Sequence, residues 1–158
     1  MRHGIRHIAV AVLALAVGAT ASAAPEHQAP AANPLVGSWH IAWMENQDAQ
    51  GKIVRRTDRQ GQLIYTPGGH MSVQVMYPEG EAQEREGPVQ YAQGGYEASW
   101  GRYDLDLKRH TVTHHVEGAM VHALVGRDLP RFYSFADGRL TLRSTNPDEH
   151  WAVTWQKD

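Results

Sequence analysis

Apolar side chains recur at every second position through most of the chain, in short runs broken by turn residues. That is the pattern of half-buried β-strands. The first run follows Asn33-Pro34-Leu35-Val36-Gly37, with Trp39, Ile41 and Trp43 in one phase and Ser38, His40 and Ala42 in the other. Pro34 lacks an N–H and suits the approach to a strand, and Gly37 leaves room for a bend before the bulky Trp39. A turn cluster at Asp48-Ala49-Gln50-Gly51 precedes a polar segment, residues 52–59, that contains Ile53 and Val54 and reads as an exposed strand. Residues 62–66 form a better strand. It is closed by Pro67-Gly68-Gly69 and followed by residues 70–77, where Met71, Val73 and Val75 alternate with Ser72 and Gln74. Two strands joined so tightly make an antiparallel hairpin.

Over residues 78–95 the alternation stops and charge takes over, with Glu79, Glu81, Glu84, Arg85 and Glu86 between Gly80 and Gly87. A loop of that length is expected to be a lid or a solvated surface segment, with one helical turn near residues 89–92. Alternation returns at 99–107, placing Gly101, Tyr103, Leu105 and Leu107 on one face and Trp100, Arg102, Asp104 and Asp106 on the other. Residues 111–117 follow, with Val112, His114 and Val116 in phase. Residues 118–129 read as irregular, and 131–136 as a strand. Asp137-Gly138 then turns into 139–144, where Leu140 and Leu142 point inward, and 150–156 carries Trp151, Val153 and Trp155 in one phase. The expected fold is all-β: a single up-and-down antiparallel barrel of about eight to nine strands. Closure gives every strand two neighbours, removes exposed edges, and leaves an interior about wide enough for one small ligand.

The N-terminus stands outside this pattern. Arg2, His3, Arg6 and His7 precede an apolar run over 8–17, and Ala21-Ser22-Ala23 supplies a small-residue cleavage pattern. Residues 1–23 therefore read as a secretory signal peptide, cleaved near Ala23. Gly18, Thr20 and Ser22 interrupt the run before the roughly 18 apolar residues that a membrane anchor needs. The expected destination is the periplasm or the exterior, with no integral membrane span after cleavage. Residues 24–33, rich in Ala and Pro, read as a flexible leader, and 34–158 as the barrel domain.

Two of the 15 Lys plus Arg, Arg2 and Arg6, fall in the signal; the remaining 13 against 17 Asp plus Glu give a formal net charge of −4. Nucleic acid is not an expected partner. Cysteine is absent, so the fold must be held by its core without disulfides.

Several blocks together resemble the bacterial lipocalin-like domain family, a branch of the calycin barrels. They are Asn33-Pro34-Leu35-Val36-Gly37-Ser38-Trp39, the stretch from Leu63 through Thr66-Pro67-Gly68-Gly69 to Gln74, Gly101-Arg102-Tyr103-Asp104-Leu105-Asp106, and Thr111-Val112-Thr113-His114-His115-Val116-Glu117-Gly118. The resemblance implies a β-barrel with an interior for small, mostly apolar molecules. It also implies that Trp39 plugs one end beneath a basic residue from a late strand, for which Arg143 is the matching candidate.

Candidate chemistry is sparse. His114 and His115 are adjacent, so on a strand they face opposite sides and cannot share a metal ion; the other histidines are scattered over both phases. No metal site and no cofactor is expected, and no nucleophile motif or phosphate-binding glycine loop is present. The inward His114 reads either as a satisfied core histidine or as a ligand contact. The inward aromatics Trp39, Trp43, Tyr65, Tyr103, Trp151 and Trp155 read either as a filled core or as a mostly apolar pocket. The pocket reading takes Trp43, Tyr65, Val75, Tyr103, His114 and Trp155 as its ligand-contacting residues. Two functions stay open: a carrier or scavenger of a small apolar molecule, and a barrel enzyme of the isomerase or cyclase kind in which His114 or a tyrosine moves a proton.

Overall fold

In a computed structural model, residues 32–79 and 89–158 are described; the signal-peptide expectation and most of the charged loop lie outside them. The alternating runs form nine strands. They are β1 (Gly37–Gln47), β2 (Ile53–Arg56), β3 (Gln60–Tyr65), β4 (His70–Met76), β5 (Tyr96–Asp106), β6 (Thr111–Ala119), β7 (Asp128–Ala136), β8 (Arg139–Ser144) and β9 (Ala152–Lys157). A single 3-10 turn, His122–Leu124, lies between β6 and β7. From β3 to β9 each strand pairs antiparallel with the next, and β9 returns to β1 to close the sheet. The long β1 pairs β3 with its first half, from Gly37↔Tyr65 to His40↔Gln62, and β2 with its last, from Met44↔Arg56 to Gln47↔Ile53. The result is an eight-stranded closed antiparallel barrel with β2 as one extra strand. Among the described residues no helix is long and apolar enough to cross a membrane.

Turn chemistry sets the hairpins. The β3–β4 turn closes through the Thr66 N–H donating to the His70 carbonyl at 2.9 Å. The β7–β8 turn puts Asp137 at φ 51° and Gly138 at φ 73°. Two successive positive φ values match the strand twist, and glycine takes the second without steric cost.

Two differences from the sequence expectation have local causes. The register of β1 against β9 shifts between Ile41 and Trp43. A bulge adds one residue to a period of two and reverses the phase beyond it. Trp39 and Ile41 therefore face inward, Met44 is the next buried position, and Trp43, expected inside, lies on the outer surface. There its ring is covered by two guanidinium groups, Arg55 at 4.4 Å and Arg139 at 5.5 Å. The second difference is the span 118–129. Residues 120–127 are irregular apart from the 3-10 turn, as expected, but β6 continues to Ala119 and β7 begins at Asp128. The helical turn expected near 89–92 is not formed; that stretch is irregular and leads to a bridge between Gln93 and Tyr96.

The core gathers toward the end of the barrel at Trp39. Leu35, Leu63, Val112 and Leu140 are fully enclosed, and Trp39 donates through Nε1 to the Leu35 carbonyl at 2.9 Å. Asn33 ties the incoming chain down by donating to the Tyr103 hydroxyl at 2.8 Å. The cation over Trp39 is Lys157, with Nζ 5.2 Å from the ring and donating to the Val36 carbonyl at 3.1 Å. Arg143, the residue matched to that role in sequence, is exposed and stacks on Phe132 at 4.7 Å instead. A smaller cluster of Val116, Val121, Leu124 and Leu129 lies toward the opposite end, with Val89 and Tyr91 packed against it.

Candidate functional site

Two polar groupings lie inside the barrel. The deeper one pairs β3 with β6. Tyr65 shares the inward phase of Leu63, and His114 that of Val112 and Val116, so both are enclosed. The Tyr65 hydroxyl and His114 Nε2 are 2.5 Å apart, and the rings meet edge to face with centroids 5.6 Å apart. Burial is the main force on both. It holds the His114 imidazole well below the ordinary histidine range, with the positive charge of Arg131 adding to the effect, and it raises the Tyr65 phenol. Whichever atom carries the proton, the pair is uncharged at neutral pH, and the Tyr65 hydroxyl and His114 Nε2 engage each other. Tyr103 meets Tyr65 edge to face with centroids 4.7 Å apart, but its hydroxyl points away toward the Trp39 end, donating to the Thr66 carbonyl at 2.9 Å.

The second grouping centres on Arg131 of β7. It stands in phase with Leu129 and Tyr133, which makes it an inward-facing cation, only 6% exposed. Its guanidinium carbon lies 5.4 Å from the Tyr91 ring and 5.2 Å from the Trp151 ring, and these two rings meet edge to face. Both rings are held in turn by Glu149: the Tyr91 hydroxyl donates to Oε2 at 3.0 Å and Trp151 Nε1 donates to the same oxygen at 2.9 Å. Burial, the leading cause, pushes the Tyr91 phenol up to about 12. Glu97 enters from β5 in the phase of Ser99 and Tyr103. Its carboxyl is raised by burial, and Arg131 acts in the opposite direction.

Of the residues expected to contact a ligand, Tyr65, Val75, Tyr103, His114 and Trp155 are buried and face the interior, while Trp43 is separated from them on the outer surface. Val75 sits in register with Gly61 and Glu97 at the end away from Trp39. Trp155 packs beside Ile41 and Leu140, and its Nε1 is buried without a hydrogen-bond partner among the described residues. Sequence reasoning missed Arg131, Glu97, Tyr91 and Glu149. The signal for Arg131 was a charged side chain two positions after Leu129 and two before Tyr133. Starting the strand at Arg131 hid that phase. Among the described residues no three His, Asp or Glu side chains converge as metal ligands.

A closed antiparallel barrel, plugged at one end by Trp39 under a lysine and holding polar groups inside, defines a lipocalin-like β-barrel protein. The chain belongs to the lipocalin-like domain family, whose model matches residues 36–157. No curated protein matches it. Among solved structures it is similar to a lipocalin-like protein from Bacteroides uniformis, with 12% identity, a TM-score of 0.48, and coverage of 80% of this chain and 100% of that one. An uncharacterized protein from Bacteroides eggerthii shares 12% identity at a TM-score of 0.45, covering 78% and 99%. A point mutant of the fluorescent protein UnaG shares 14% identity at a TM-score of 0.40, covering 79% and 96%.

Proposed function

We propose that this protein is an exported carrier or scavenger that takes one small, mostly apolar molecule into the half of the barrel away from Trp39. The observation that carries the reading is the uneven filling of the interior. Large rings, Trp39, Tyr65, Tyr103, Tyr133 and Trp155, crowd one part, whereas the inward positions toward the other end include the smaller Val75, Ser99 and Val116. An apolar wall with a few placed polar groups is the usual make-up of a small-molecule site. Export rests on the basic and apolar leader and on Ala21-Ser22-Ala23. Catalysis by His114 or Tyr65 is the weaker reading, because the Tyr65 hydroxyl and His114 Nε2 are engaged with each other within the core.

The test is titration with N-phenyl-1-naphthylamine, an uncharged apolar fluorophore. It should bind at about one per chain and quench tryptophan emission, since Trp151 and Trp155 lie along the interior. An absence of saturable binding, together with no small molecule co-purifying with the native protein by mass spectrometry, would sink the proposal.

A further inference from the structure

Arg131 is a cation enclosed on the inward phase of β7. Enclosing a guanidinium removes it from water, a cost ordinarily offset by a carboxylate partner and a full set of hydrogen bonds. Among the described residues Arg131 has neither. No ion pair there includes it, and the one hydrogen bond it makes is from Nη1 to the Leu129 carbonyl, a long 3.3 Å. A guanidinium carries five N–H donors in its plane, so most of them are uncommitted. Nε and Nη2 have no partner among the described residues, yet they are not among the polar atoms sealed from solvent.

The carboxylate of Glu149, which shares the Tyr91 and Trp151 rings with Arg131, is used otherwise. Glu149 is 7% exposed, and among the described residues both hydrogen bonds to its carboxylate come from the rings of Tyr91 and Trp151. Those rings lie against the guanidinium, where π-faces attract a cation without occupying its in-plane donors. Glu149 thus fixes the rings, and the rings hold the cation. Glu97 faces the same space from β5, where burial raises its carboxyl and Arg131 acts to lower it, and among the described residues no ion pair joins the two. The surroundings are therefore built to hold a positive charge in place and to leave its hydrogen-bonding edge free.

We infer that the molecule bound in the barrel carries an acidic oxygen-bearing group, a carboxylate or its equivalent, on an apolar body, and that Arg131 is the residue that receives this group. The inference rests on the interior binding site proposed above. The planar fork suits two oxygens of one anion. The apolar body lies among Val75, Val116 and the neighbouring rings.

A matched pair of probes separates the two claims: 1-anilinonaphthalene-8-sulfonate and N-phenyl-1-naphthylamine, which share a ring system and differ by the sulfonate. In Arg131→Met, affinity for the sulfonate relative to the uncharged probe should fall about ten- to hundredfold, the range for a hydrogen-bonded charge. Affinity for the uncharged probe should change by less than about threefold. Arg131→Lys, which keeps the charge and loses the fork, should retain part of the preference. Glu97→Gln should strengthen sulfonate binding and leave the uncharged probe unaffected. A measurement on the unaltered protein guards against misfolding of the variants: dodecanoate should displace the uncharged probe at about tenfold lower concentration or less than methyl dodecanoate does. Equal displacement by acid and ester, or an equal loss of both probes in Arg131→Met, would overturn the inference while leaving interior binding intact. If neither probe binds the unaltered protein, both proposals fail.

Discussion

His114 and His115 are chemically the same side chain one residue apart, and their surroundings pull them in opposite directions. His114 is enclosed and held well below the ordinary range. His115, on the outer face, is raised, first by its Nδ1 contact with Asp128 at 2.7 Å and then by its Nε2 contact with Asp104 at 3.0 Å. In an NMR titration the His115 imidazole should protonate with a midpoint above about 6.5, and His114 should stay neutral well below it. A His114 midpoint near the ordinary value would contradict its burial. The stability consequences also differ in sign. The folded-state value of His115 is raised, so its contribution is fully present below about 6.5 and is lost as pH rises through that higher value. For His114 the unfolded chain takes up a proton more readily than the folded one, so acid below about 6.5 destabilises the fold. Comparing urea midpoints of the protein and of His115→Asn isolates the first effect. The advantage of the unaltered protein should be present at pH 5.5 and shrink by pH 8.5, and a gap that does not change with pH would remove the two-carboxylate clamp from the account.

At the scale of single strands, two glycines make a test of what bulges require. A Cβ on Gly118 would come within 2.4 Å of the Trp100 indole, whereas a Cβ on Gly101 would come within 2.0 Å of the His115 carbonyl oxygen. Trp100 is 56% exposed and can swing away; the backbone of β6, bulged against β5 at this point, cannot. Gly118→Ala should therefore cost less than about 1 kcal/mol and shift tryptophan emission, while Gly101→Ala should cost about 1–3 kcal/mol or more. Denaturant midpoints give the ranking, and the reverse order would mean the bulge is softer than its geometry implies. The same bulges explain what was and was not legible in the chain. Strand identity is written in a period of two, so the strands through Leu63, Val73, Val112, Leu140 and Val153 stood out. A bulge has no compositional mark, and one extra residue near Ala42 was enough to carry Trp43 from the inside to the outside. Arg131 was obscured by the habit of reading charge as surface, and Lys157 by its place next to the C-terminus. Tyr91 and Glu149 lie outside regular strands, where no periodicity reports on facing. Their meeting at Arg131 is a tertiary fact.

For the whole molecule the decisive contact is the seam between β1 and β9, which turns a meander into a barrel. It joins the first strand to the last, from Trp39↔Lys157 to Glu45↔Ala152. Two further contacts reinforce it: the Asp158 N–H donates to the Ser38 carbonyl at 3.0 Å, and His40 Nδ1 lies 2.7 Å from an Asp158 carboxylate oxygen. Because this contact spans nearly the entire described chain, it is the costliest in loop-closure entropy and is expected to form late in folding. Once formed, it leaves neither terminal strand with a free edge. Thr154 sits at the centre of the seam, paired with Trp43 of β1 on one side and with Thr141 of β8 on the other. Proline there would delete a ladder N–H from a strand with neighbours on both sides. Thr154→Pro should therefore reopen the barrel while leaving the β3–β8 meander able to pair. The expected signature is retained strand signal by circular dichroism, loss of the enclosed environment of Trp39 and Trp155 in fluorescence, and concentration-dependent association by size exclusion as freed edges pair between molecules. If the variant stays monomeric with unchanged tryptophan emission, closure at β1–β9 is not what holds the interior shut, and the enclosure of Arg131 and His114 must then be supplied from within the meander itself.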